Sequence, residues 1–465
     1  MNDITFPFDE KNKIPLYLQL YTYLKEEIRN GNLAPREKLP SKRLASVSLG
    51  VSVNTVEGAY KQLEAEGYIE SRARSGFYVC EIDELICAQV EAAQAASDCT
   101  GKPLETYAYR FDTSNVDNQF FPYTTWGKIN KKLLYNSPDL LELGENKGDA
   151  ALRRTLCAFL RQTRGVNCEP EQIIVGAGSE YLITLLVTLI GREKTYATEN
   201  PCYEKTYRIF KNNAKKTELI PVGKDGISLE QLKRSDAHAV HITPSHQFPM
   251  GSVLPMKSRT ALLNWANENG KYIIEDDYDS EFRFSGRPIP SLQGLDRNGR
   301  VIYLSTFSKS ISPSFRLSLL VLPAELMKRY EDLFCAYSST VSRYDQHTLL
   351  EFIEGGHFER HLNRARKLYK DRKELLERLL KRMDKRMILT GGEAGLHILL
   401  HVPDKTEAFL VTRAAQCGVK LGGLSEFFIE HKENCPPGTV VLGFASMNEE
   451  KIRAAVDALQ KAWYE

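Results

Sequence analysis

The first eighty residues place apolar side chains at helical spacing, and two short β-rich runs follow them. Leu20, Leu24 and Ile28 lie on one helical face, and Val56 and Leu63 repeat at the same period. A glycine follows each apolar stretch, where helices commonly end. The pattern predicts three helices and then two strands, over residues 16–30, 42–49, 53–66, 68–71 and 77–80. This order is that of a winged helix-turn-helix.

Beyond residue 108 the pattern changes to apolar, β-branched runs that alternate with helical stretches, one of them over 179–190. The strand-like runs cover residues 173–175, 239–242, 272–275, 301–304 and 317–322. Such alternation predicts an α/β domain with a mostly parallel, doubly wound sheet. From about residue 340 the chain is predicted to be helical and then mixed, as in a small α+β C-terminal subdomain.

Residues 81–107 differ from both neighbours, because they are rich in Ala, Gln, Ser and Glu and poor in large apolar side chains. This composition is typical of a linker. The predicted organisation is therefore a DNA-binding-type domain over 1–80, a linker over 81–107 and an α/β domain over 108–465.

Composition excludes several classes of protein. Apolar residues make up 42% and charged residues 26% of the chain, which is ordinary for globular proteins and excludes a collagen, a coiled-coil rod and a disordered chain. No apolar run approaches the ~20 residues that a membrane span needs, and the acidic start has no apolar signal core. The nine cysteines form no C-x-x-C pair, so we expect no metal site and a reducing cytoplasm.

Basic and polar side chains cluster where a helix-turn-helix would meet DNA, although residues 1–80 are not basic overall. An asparagine at the start of a recognition helix can read adenine, whereas arginine and lysine mostly neutralise phosphate. Arginines on the hairpin turn are placed to reach the minor groove. The candidates are Lys42, Arg43, Asn54, Thr55, Lys61, Arg72, Arg74 and Gly76. The residues alone leave open a small helical module that binds protein.

A lysine and several phosphate-compatible groups follow one predicted strand of the second domain. A lysine that forms a Schiff base with an aldehyde, as Lys309 would, needs a dry site in which it loses its proton readily. Thr306, Ser308 and Arg316 offer two hydroxyls and a bidentate cation, which suit a phosphate ester. Taken alone, a lysine after a strand is more often a surface residue.

Other strand ends carry groups that would complete such a site, and doubly wound sheets bind ligands at that edge. A carboxylate such as Asp276 can keep a pyridine nitrogen protonated, and the Tyr278 phenol can bond the 3-oxygen of the ring. Backbone N–H groups at a helix start can bind an anion. The remaining candidates are Gly178, Ser179, Glu180, Tyr203, His246 and Gln247. Singly they indicate a tight turn, a solvated loop or a metal site, but their order favours one cofactor site.

One segment closely resembles the DNA-binding domain of GntR-type bacterial regulators: LPSKRLASVSLGVSVNTVEGAYKQLEAEGYIESRARSGFYV. The shared motifs are L-P-S-x-R, L-G-V-S, A-Y-x-x-L-E-x-E-G and a Gly-tipped wing. The resemblance implies contact with a DNA operator at four positions, Arg43, Asn54, Thr55 and Gly76. Such regulators often have Arg where Val53 and Glu57 stand, so we expect weaker phosphate contact or a different operator.

Residues 110–465 resemble a fold-type I aminotransferase, a domain that binds pyridoxal 5′-phosphate (PLP). The whole chain is therefore similar to MocR/GabR-type transcription regulators. The resemblance implies that Lys309 is the Schiff-base lysine, Asp276 bonds the pyridine nitrogen and Tyr278 bonds the 3-oxygen. It implies ring stacking by Tyr203, and a loop facing the ring that contains His246 and Gln247. The implied phosphate cup contains Gly178, Ser179, Glu180, Thr306, Ser308 and Arg316.

Two departures from the aminotransferase pattern bear on function. Aminotransferases usually clamp the substrate α-carboxylate with an Arg where this chain has Val440 or Val441. An aromatic residue that reaches the phosphate of the partner subunit is replaced by Leu143. We therefore expect at most slow or partial transamination, with Lys205 or Arg208 as a substitute anion site for an effector.

The resemblance implies a homodimeric, cytoplasmic regulator that binds an operator and senses PLP, or an amine or amino acid that reacts with it. A functional PLP-dependent aminotransferase with an accessory DNA-binding head is the alternative. In a third interpretation the second domain only dimerises the DNA-binding heads. The presence of Lys309 argues against that third interpretation.

Overall fold

The computed structural model of the chain describes Phe6 and residues 14–72, 75–81, 107–284 and 289–465. The chain divides into two units, Met1–Glu105 and Thr106–Glu465. The predicted linker, apart from its first and last residues, lies outside the described residues, and so does Arg74. Every helix in the described ranges is too short or too polar to cross a lipid bilayer.

The N-terminal unit has the predicted order of three helices and a hairpin. Its elements are α1 (Leu16–Arg29), α2 (Lys42–Leu49), α3 (Val53–Ala65), β1 (Ile69–Arg72) and β2 (Gly76–Val79). The bounds of α2 and the starts of α1 and α3 match the prediction, and the remaining ends differ by one residue. β1 and β2 pair antiparallel from Ile69 opposite Val79 to Arg72 opposite Gly76. The winged helix-turn-helix predicted from the sequence is therefore confirmed.

Local signals in the sequence account for the helix-turn-helix. The Ser41 and Ser52 hydroxyls accept hydrogen bonds from the backbone N–H groups of Leu44 and Thr55, which caps α2 and α3. Gly50 ends α2 with φ of 66°, a left-handed conformation that favours glycine. The apolar faces of the helices then meet in one core with the hairpin, formed by Leu20, Leu24, Ala45, Val56, Tyr60, Leu63, Ile69 and Val79.

An eight-stranded sheet forms the centre of the C-terminal unit. The strands up to its end are, in chain order, β3 (Tyr109–Arg110), β4 (Ile173–Ala177), β5 (Thr195–Asn200), β6 (Lys216–Gly223), β7 (Gly226–Ile227), β8 (Ala239–Ile242), β9 (Tyr272–Asp277), β10 (Val301–Thr306) and β11 (Leu317–Val321). The order across the sheet is β4-β11-β10-β9-β8-β5-β6-β7. The run from β10 to β6 is parallel, whereas β11 and β7 are antiparallel to their neighbours.

Helices cover both faces of this sheet, as predicted for a doubly wound fold. They are α4 (Tyr123–Asn136), α5 (Ala150–Arg164), α6 (Ser179–Ile190), α7 (Glu204–Asn213), α8 (Leu229–Arg234), α9 (Met256–Asn269) and α10 (Ala324–Phe334). Successive strand residues enter different cores: Ile302 packs in a core with α6 and α10, and Tyr303 in a core with α4 and α5. Burial on both faces explains why the strands are apolar without alternation.

The remainder of the chain is helical and then mixed. Two helices, α11 (Arg343–Glu354) and α12 (His357–Met383), precede the elements β12 (Ile388–Thr390), β13 (His397–His401), α13 (Glu407–Gln416), β14 (Val419–Lys420), β15 (Gly422–Gly423), β16 (Thr439–Gly443) and α14 (Glu449–Tyr464). β12, β13, β16 and β15 form an antiparallel sheet. β14 instead pairs with β3, so the first strand of the C-terminal unit lies beside a strand near the end of the chain.

A buried ion pair fixes the strand that carries the acidic motif. Arg164, at the end of α5, donates from Nε to the Asp277 carboxylate at 2.7 Å. The Tyr303 hydroxyl also donates to Asp277, at 2.5 Å, and the Ser280 hydroxyl does so at 2.9 Å. Glu275, also buried, accepts backbone N–H bonds from residues 292 and 293 at 2.7 and 2.8 Å. These bonds satisfy charges that would otherwise be costly to bury.

Replacing Arg164 is expected to destabilise the C-terminal unit strongly. Arg164→Met leaves Asp277 buried without its cation, which costs about 3–5 kcal/mol in comparable pairs. All three tryptophans lie in this unit, so tryptophan fluorescence during urea unfolding reports its stability. Arg154→Met, at an exposed position of the same helix, is the control. Equal unfolding free energies for the two variants would contradict this role of Arg164.

Candidate cofactor site and DNA-binding surface

A cavity of about 200 Å³ opens at the carboxyl ends of the parallel strands. Polar residues at the ends of β5, β8, β9 and β10 and at the start of α6 line it. The structure brings ten predicted residues together on its wall: Ser179, Glu180, Tyr203, Lys205, Asp276, Tyr278, Thr306, Ser308, Lys309 and Arg316. Four predicted residues, Gly178, Arg208, His246 and Gln247, do not line the cavity.

Lys309 follows β10 and reaches into the cavity. Its Nζ donates hydrogen bonds to the backbone carbonyls of Thr113 and Ser114, the latter at 3.1 Å. Burial lowers the pKa of Lys309 to about 8, although the carboxylates of Asp279 and Asp112 act in the opposite direction. The protein therefore holds this amine close to its neutral, nucleophilic form at physiological pH.

Asp276 faces the cavity from β9, on the opposite side of the strand from the Arg164 ion pair. Its Oδ2 lies 3.1 Å from Nε2 of His241, a buried residue of the neighbouring strand β8. His241 was not among the sequence candidates, and the only signal for it is a polar residue near the end of a buried strand. The imidazole fixes the orientation of the carboxylate, which is the group expected to meet a ring nitrogen.

Tyr278 belongs to a buried hydrogen-bonded cluster. Its hydroxyl lies 3.0 Å from Nδ1 of His246, and Asp279 Oδ2 lies 2.8 Å from the same nitrogen. Burial raises the pKa of Tyr278 well above its usual value, so the phenol keeps its proton. The resemblance implied that His246 belongs to a loop that faces the ring. In the structure the His246 ring stacks on that of Tyr278, with centroids 6.1 Å apart, and does not itself line the cavity.

His246, Asp279 and His397 are the described residues that come closest to a metal site. All three are buried, and their ligand atoms lie within 4.8 Å of one another. Hydrogen bonds already engage Asp279, and Nε2 of His397 lies 2.9 Å from the Pro249 carbonyl oxygen. Burial also lowers the pKa of His397 to about 3. We therefore interpret the group as a hydrogen-bonded network at the cavity, with Asp279 and His397 on its wall, rather than as a metal site.

The opposite end of the cavity suits an anion. Gly178 has φ of 89° and precedes α6, and a Cβ on it would lie 2.3 Å from the Arg316 guanidinium. The hydroxyls of Thr306 and Ser308 are 2.8 Å apart at the end of β10. Helix N–H groups, two hydroxyls and an arginine are the donors that bind phosphate. In the structure Arg316 donates to Glu180, at 2.6 Å.

The other candidates occupy different positions. The Tyr203 ring lies on the cavity wall, edge-on to Phe248 at 5.8 Å. Gln247 points away from the cavity and is fully used by backbone groups, since its amide donates to two carbonyls and accepts from the Met250 N–H. Lys205 lines the cavity, whereas Arg208 is exposed and pairs with Glu204.

Glu199 is a cavity residue that the sequence reasoning missed. It is the penultimate residue of β5, is buried, and accepts hydrogen bonds from the N–H and hydroxyl of Thr243 at 3.1 and 2.8 Å. Burial raises its pKa to about 7. An acidic residue inside an apolar run, just before Asn-Pro, was the available signal.

The substituted aminotransferase positions are apolar in the structure as well. Val440 and Val441 lie in β16, pair with Leu400 and Leu399, and are buried. Val441 packs in a small apolar core, so nothing at this position can bind a carboxylate. Leu143 is highly exposed.

The predicted DNA-reading residues other than Arg74 lie within the described ranges, on α2, α3 and the hairpin. Arg43 on α2 and Asn54 on α3 are exposed. Thr55 is partly buried because its hydroxyl bonds Ser52 at 2.8 Å within the cap of α3. Gly76 starts β2 with φ of 113°, a conformation that side chains other than hydrogen disfavour.

An acidic residue pairs with two of the predicted phosphate contacts. Glu57 accepts from Lys42 at 3.2 Å and from Lys61 at 3.1 Å, so neither predicted phosphate contact is an independent cation. The two lysines lower the pKa of Glu57. On the hairpin, Arg72 pairs with Glu70 at 2.6 Å and lies over the Tyr78 ring.

The reactivity of Lys309 is expected to rise through pH 8. An ordinary lysine has a pKa near 10.4, whereas burial lowers the pKa of Lys309 to about 8, so this amine loses its proton at a lower pH. Trinitrobenzenesulfonate reacts with neutral amines, and peptide mapping measures its reaction at Lys309 from pH 6.5 to 10.5. Exposed Lys132 in the same digest is the control. Equal midpoints for the two lysines would show that the Lys309 amine is not perturbed.

Family models match nearly the whole chain. Residues 16–79 match the model of bacterial regulatory proteins of the gntR family. Residues 104–459 match the model of aminotransferase class I and II. Both matches agree with the two folds described above.

Solved structures similar to this chain are aminotransferases. The multiple substrate aminotransferase from Thermococcus profundus has a TM-score of 0.68 and 25% identity, and the match covers 78% of this chain and 92% of that one. An archaeal alanine:glyoxylate aminotransferase has a TM-score of 0.70 and 24% identity over 81% and 95% of the two chains. The fold of the C-terminal unit is therefore that of these enzymes.

Several relatives that match nearly the full length of both chains are described as regulators. YdeL of Bacillus subtilis, described as an uncharacterized HTH-type transcriptional regulator, is 39% identical over 99% of both chains. The probable rhizopine catabolism regulatory protein MocR of Rhizobium meliloti is 32% identical over 98% and 95%. The pyridoxine biosynthesis regulator PdxR of Corynebacterium glutamicum is 31% identical over 96% and 94%. This chain belongs to the MocR-type subfamily of GntR transcriptional regulators.

Proposed function

We propose that the C-terminal unit of this DNA-binding regulator holds PLP at Lys309 and senses either the cofactor itself or an amine or amino acid that reacts with it. One observation carries the proposal. A single cavity brings together a lysine with a pKa of about 8, a histidine-oriented carboxylate and a phosphate-compatible end. The aminotransferase fold of the unit agrees with this cofactor.

The side chains present fit PLP in chemistry. When bound, the cofactor supplies an aldehyde and an electron-withdrawing ring. The Lys309 amine would attach to the aldehyde, and Asp276, held by His241, would hold a proton at the ring nitrogen. Tyr278, protonated and backed by His246, would donate to the 3-oxygen. Backbone N–H groups of α6, together with Arg316, would bind the phosphate.

The cavity favours recognition of an effector over rapid turnover. An α-amino acid needs its carboxylate clamped for its α-carbon to lie correctly over the ring, and misplacement can cost about 10²-fold in rate. The buried valines of β16 cannot supply that clamp. Lys205 is a cation on the cavity wall, so a ligand whose carboxylate lies farther from its amine, or PLP alone, fits better. An arginine clamp supplied elsewhere would favour the aminotransferase alternative.

A homodimer is part of the proposal. Several large apolar side chains on and after α4 remain outside the core. Their exposed fractions are 62% for Leu134, 74% for Tyr135, 79% for Leu141 and 88% for Leu143. Such a concentration of exposed apolar surface is typical of an interaction site. Dimers also suit an operator with two half-sites.

Two substitutions separate phosphate contact from base reading. Arg43→Ala is expected to weaken binding to operator and random DNA alike and to reduce the salt slope by about one. Asn54→Ala is expected to cost roughly 1–3 kcal/mol on the operator and to relax specificity at one base pair. Fluorescence anisotropy with both DNAs, over a range of salt concentrations, measures both effects. Equal losses on both DNAs for both variants would contradict this division.

Covalent trapping tests the cofactor proposal. The protein incubated with PLP and reduced with borohydride is expected to carry a stable adduct on Lys309, found by peptide mapping. Lys309→Ala should lose the adduct because Lys205, the other lysine on the cavity wall, has a raised rather than a lowered pKa. Lys205→Gln, a lysine replaced on the same cavity wall, should retain it. An adduct of equal yield in Lys309→Ala would refute the assignment.

A further inference from the structure

The anion end of the cavity contains its own carboxylate. Glu180 is the second residue of α6, and its side chain lies on the cavity wall against Arg316. Oε2 of Glu180 accepts from the Arg316 guanidinium at 2.6 Å, and Oε1 lies 3.4 Å from Nζ of Lys205. Glu180 thus engages both cations that line this end of the cavity.

Arg316 already donates from Nη2 to Glu180, so a phosphate that forms a bidentate pair of bonds through that nitrogen must share it with the carboxylate. Arg316 has φ of 53°, and it lies against Gly178, where no Cβ fits. Its positive charge lies beside the N-terminus of α6, which is itself partly positive. The Glu180 carboxylate offsets this concentration of positive charge.

We propose that the Glu180 carboxylate is a built-in competitor of the cofactor phosphate for Arg316 and sets the affinity of the regulator for PLP. A phosphate that binds Arg316 through Nη2 competes with the carboxylate for that nitrogen. Lys205 then keeps Glu180 beside the phosphate, because that second contact does not depend on Arg316. Two anions side by side repel each other, which weakens binding further.

This inference rests on the proposed function and adds its regulation. Both Glu180 and Arg316 are partly exposed, so their ion pair is of the modest kind, and competition tunes affinity without abolishing it. A site with lowered affinity is occupied in proportion to the free cofactor concentration, whereas a very tight site is always full. By lowering the affinity for PLP, Glu180 would therefore let the regulator respond to the concentration of free PLP.

The test compares ligand affinities of Glu180→Gln and the unaltered protein. Glutamine keeps the size of the side chain but removes its charge. The dissociation constant for PLP, from equilibrium dialysis, is expected to fall by up to about fivefold, the largest factor that loss of one exposed ion pair supports. Pyridoxal, which has no phosphate, should bind both proteins equally. Glu204→Gln removes an exposed ion-paired carboxylate outside the cavity and should leave PLP affinity unchanged.

The possible results distinguish a failure of the Glu180 competition from a failure of the proposed cofactor site. Tighter PLP binding with unchanged pyridoxal binding supports the competition. Equal PLP affinities, with borohydride trapping showing an adduct on Lys309 in both proteins, would overturn the role of Glu180 and leave the cofactor site intact. An equal gain for pyridoxal would also overturn it, because the effect would not involve the phosphate. No adduct in either protein at millimolar PLP would refute the proposed function itself.

Discussion

Four carboxylates enter the interior of the C-terminal unit on β9 and the residues just after it, and their burial constrains everything around the cavity. Glu275 and Asp277 turn to one side, where backbone N–H groups and Arg164 satisfy them. Asp276 turns to the cavity and meets His241. Since side chains alternate along a strand, anchoring one set of carboxylates fixes the direction of the other. The position of Asp276 therefore depends on an ion pair outside the cavity.

The same low-polarity surroundings account for the lysine. Burial that would be costly for an ammonium group lowers the pKa of Lys309 to about 8. Asp279 opposes that shift, but its carboxylate is shared with His246. The result is an amine that is reactive without being fixed in an ion pair.

Much of the architecture could be predicted from the sequence, because local signals determine it. Serine caps and following glycines gave the bounds of α2, and the acidic motif after an apolar run located Asp276 correctly on the cavity wall. The direction of His246 could not be predicted, since it depends on its contacts with Tyr278 and Asp279. Nor could the pairing of β3 with β14, which joins short segments about 310 residues apart in sequence.

Charge compensation was the other feature that could not be predicted from the sequence. Glu57 appeared only as a departure from the usual basic residue, yet it contacts both Lys42 and Lys61. Glu180 appeared as a backbone donor, yet its side chain occupies Arg316. In both units an acidic side chain therefore lies against the cations expected to bind phosphate.

In the proposed function, a ligand bound at Lys309 changes how the regulator binds DNA. The most direct measurement is operator affinity, by fluorescence anisotropy, with and without saturating PLP and a panel of amines and amino acids. We predict that at least one of these ligands shifts the affinity of the unaltered protein and that Lys309→Ala abolishes the shift while keeping its basal affinity. An operator affinity unchanged by every ligand, or a shift of equal size in Lys309→Ala, would contradict the account.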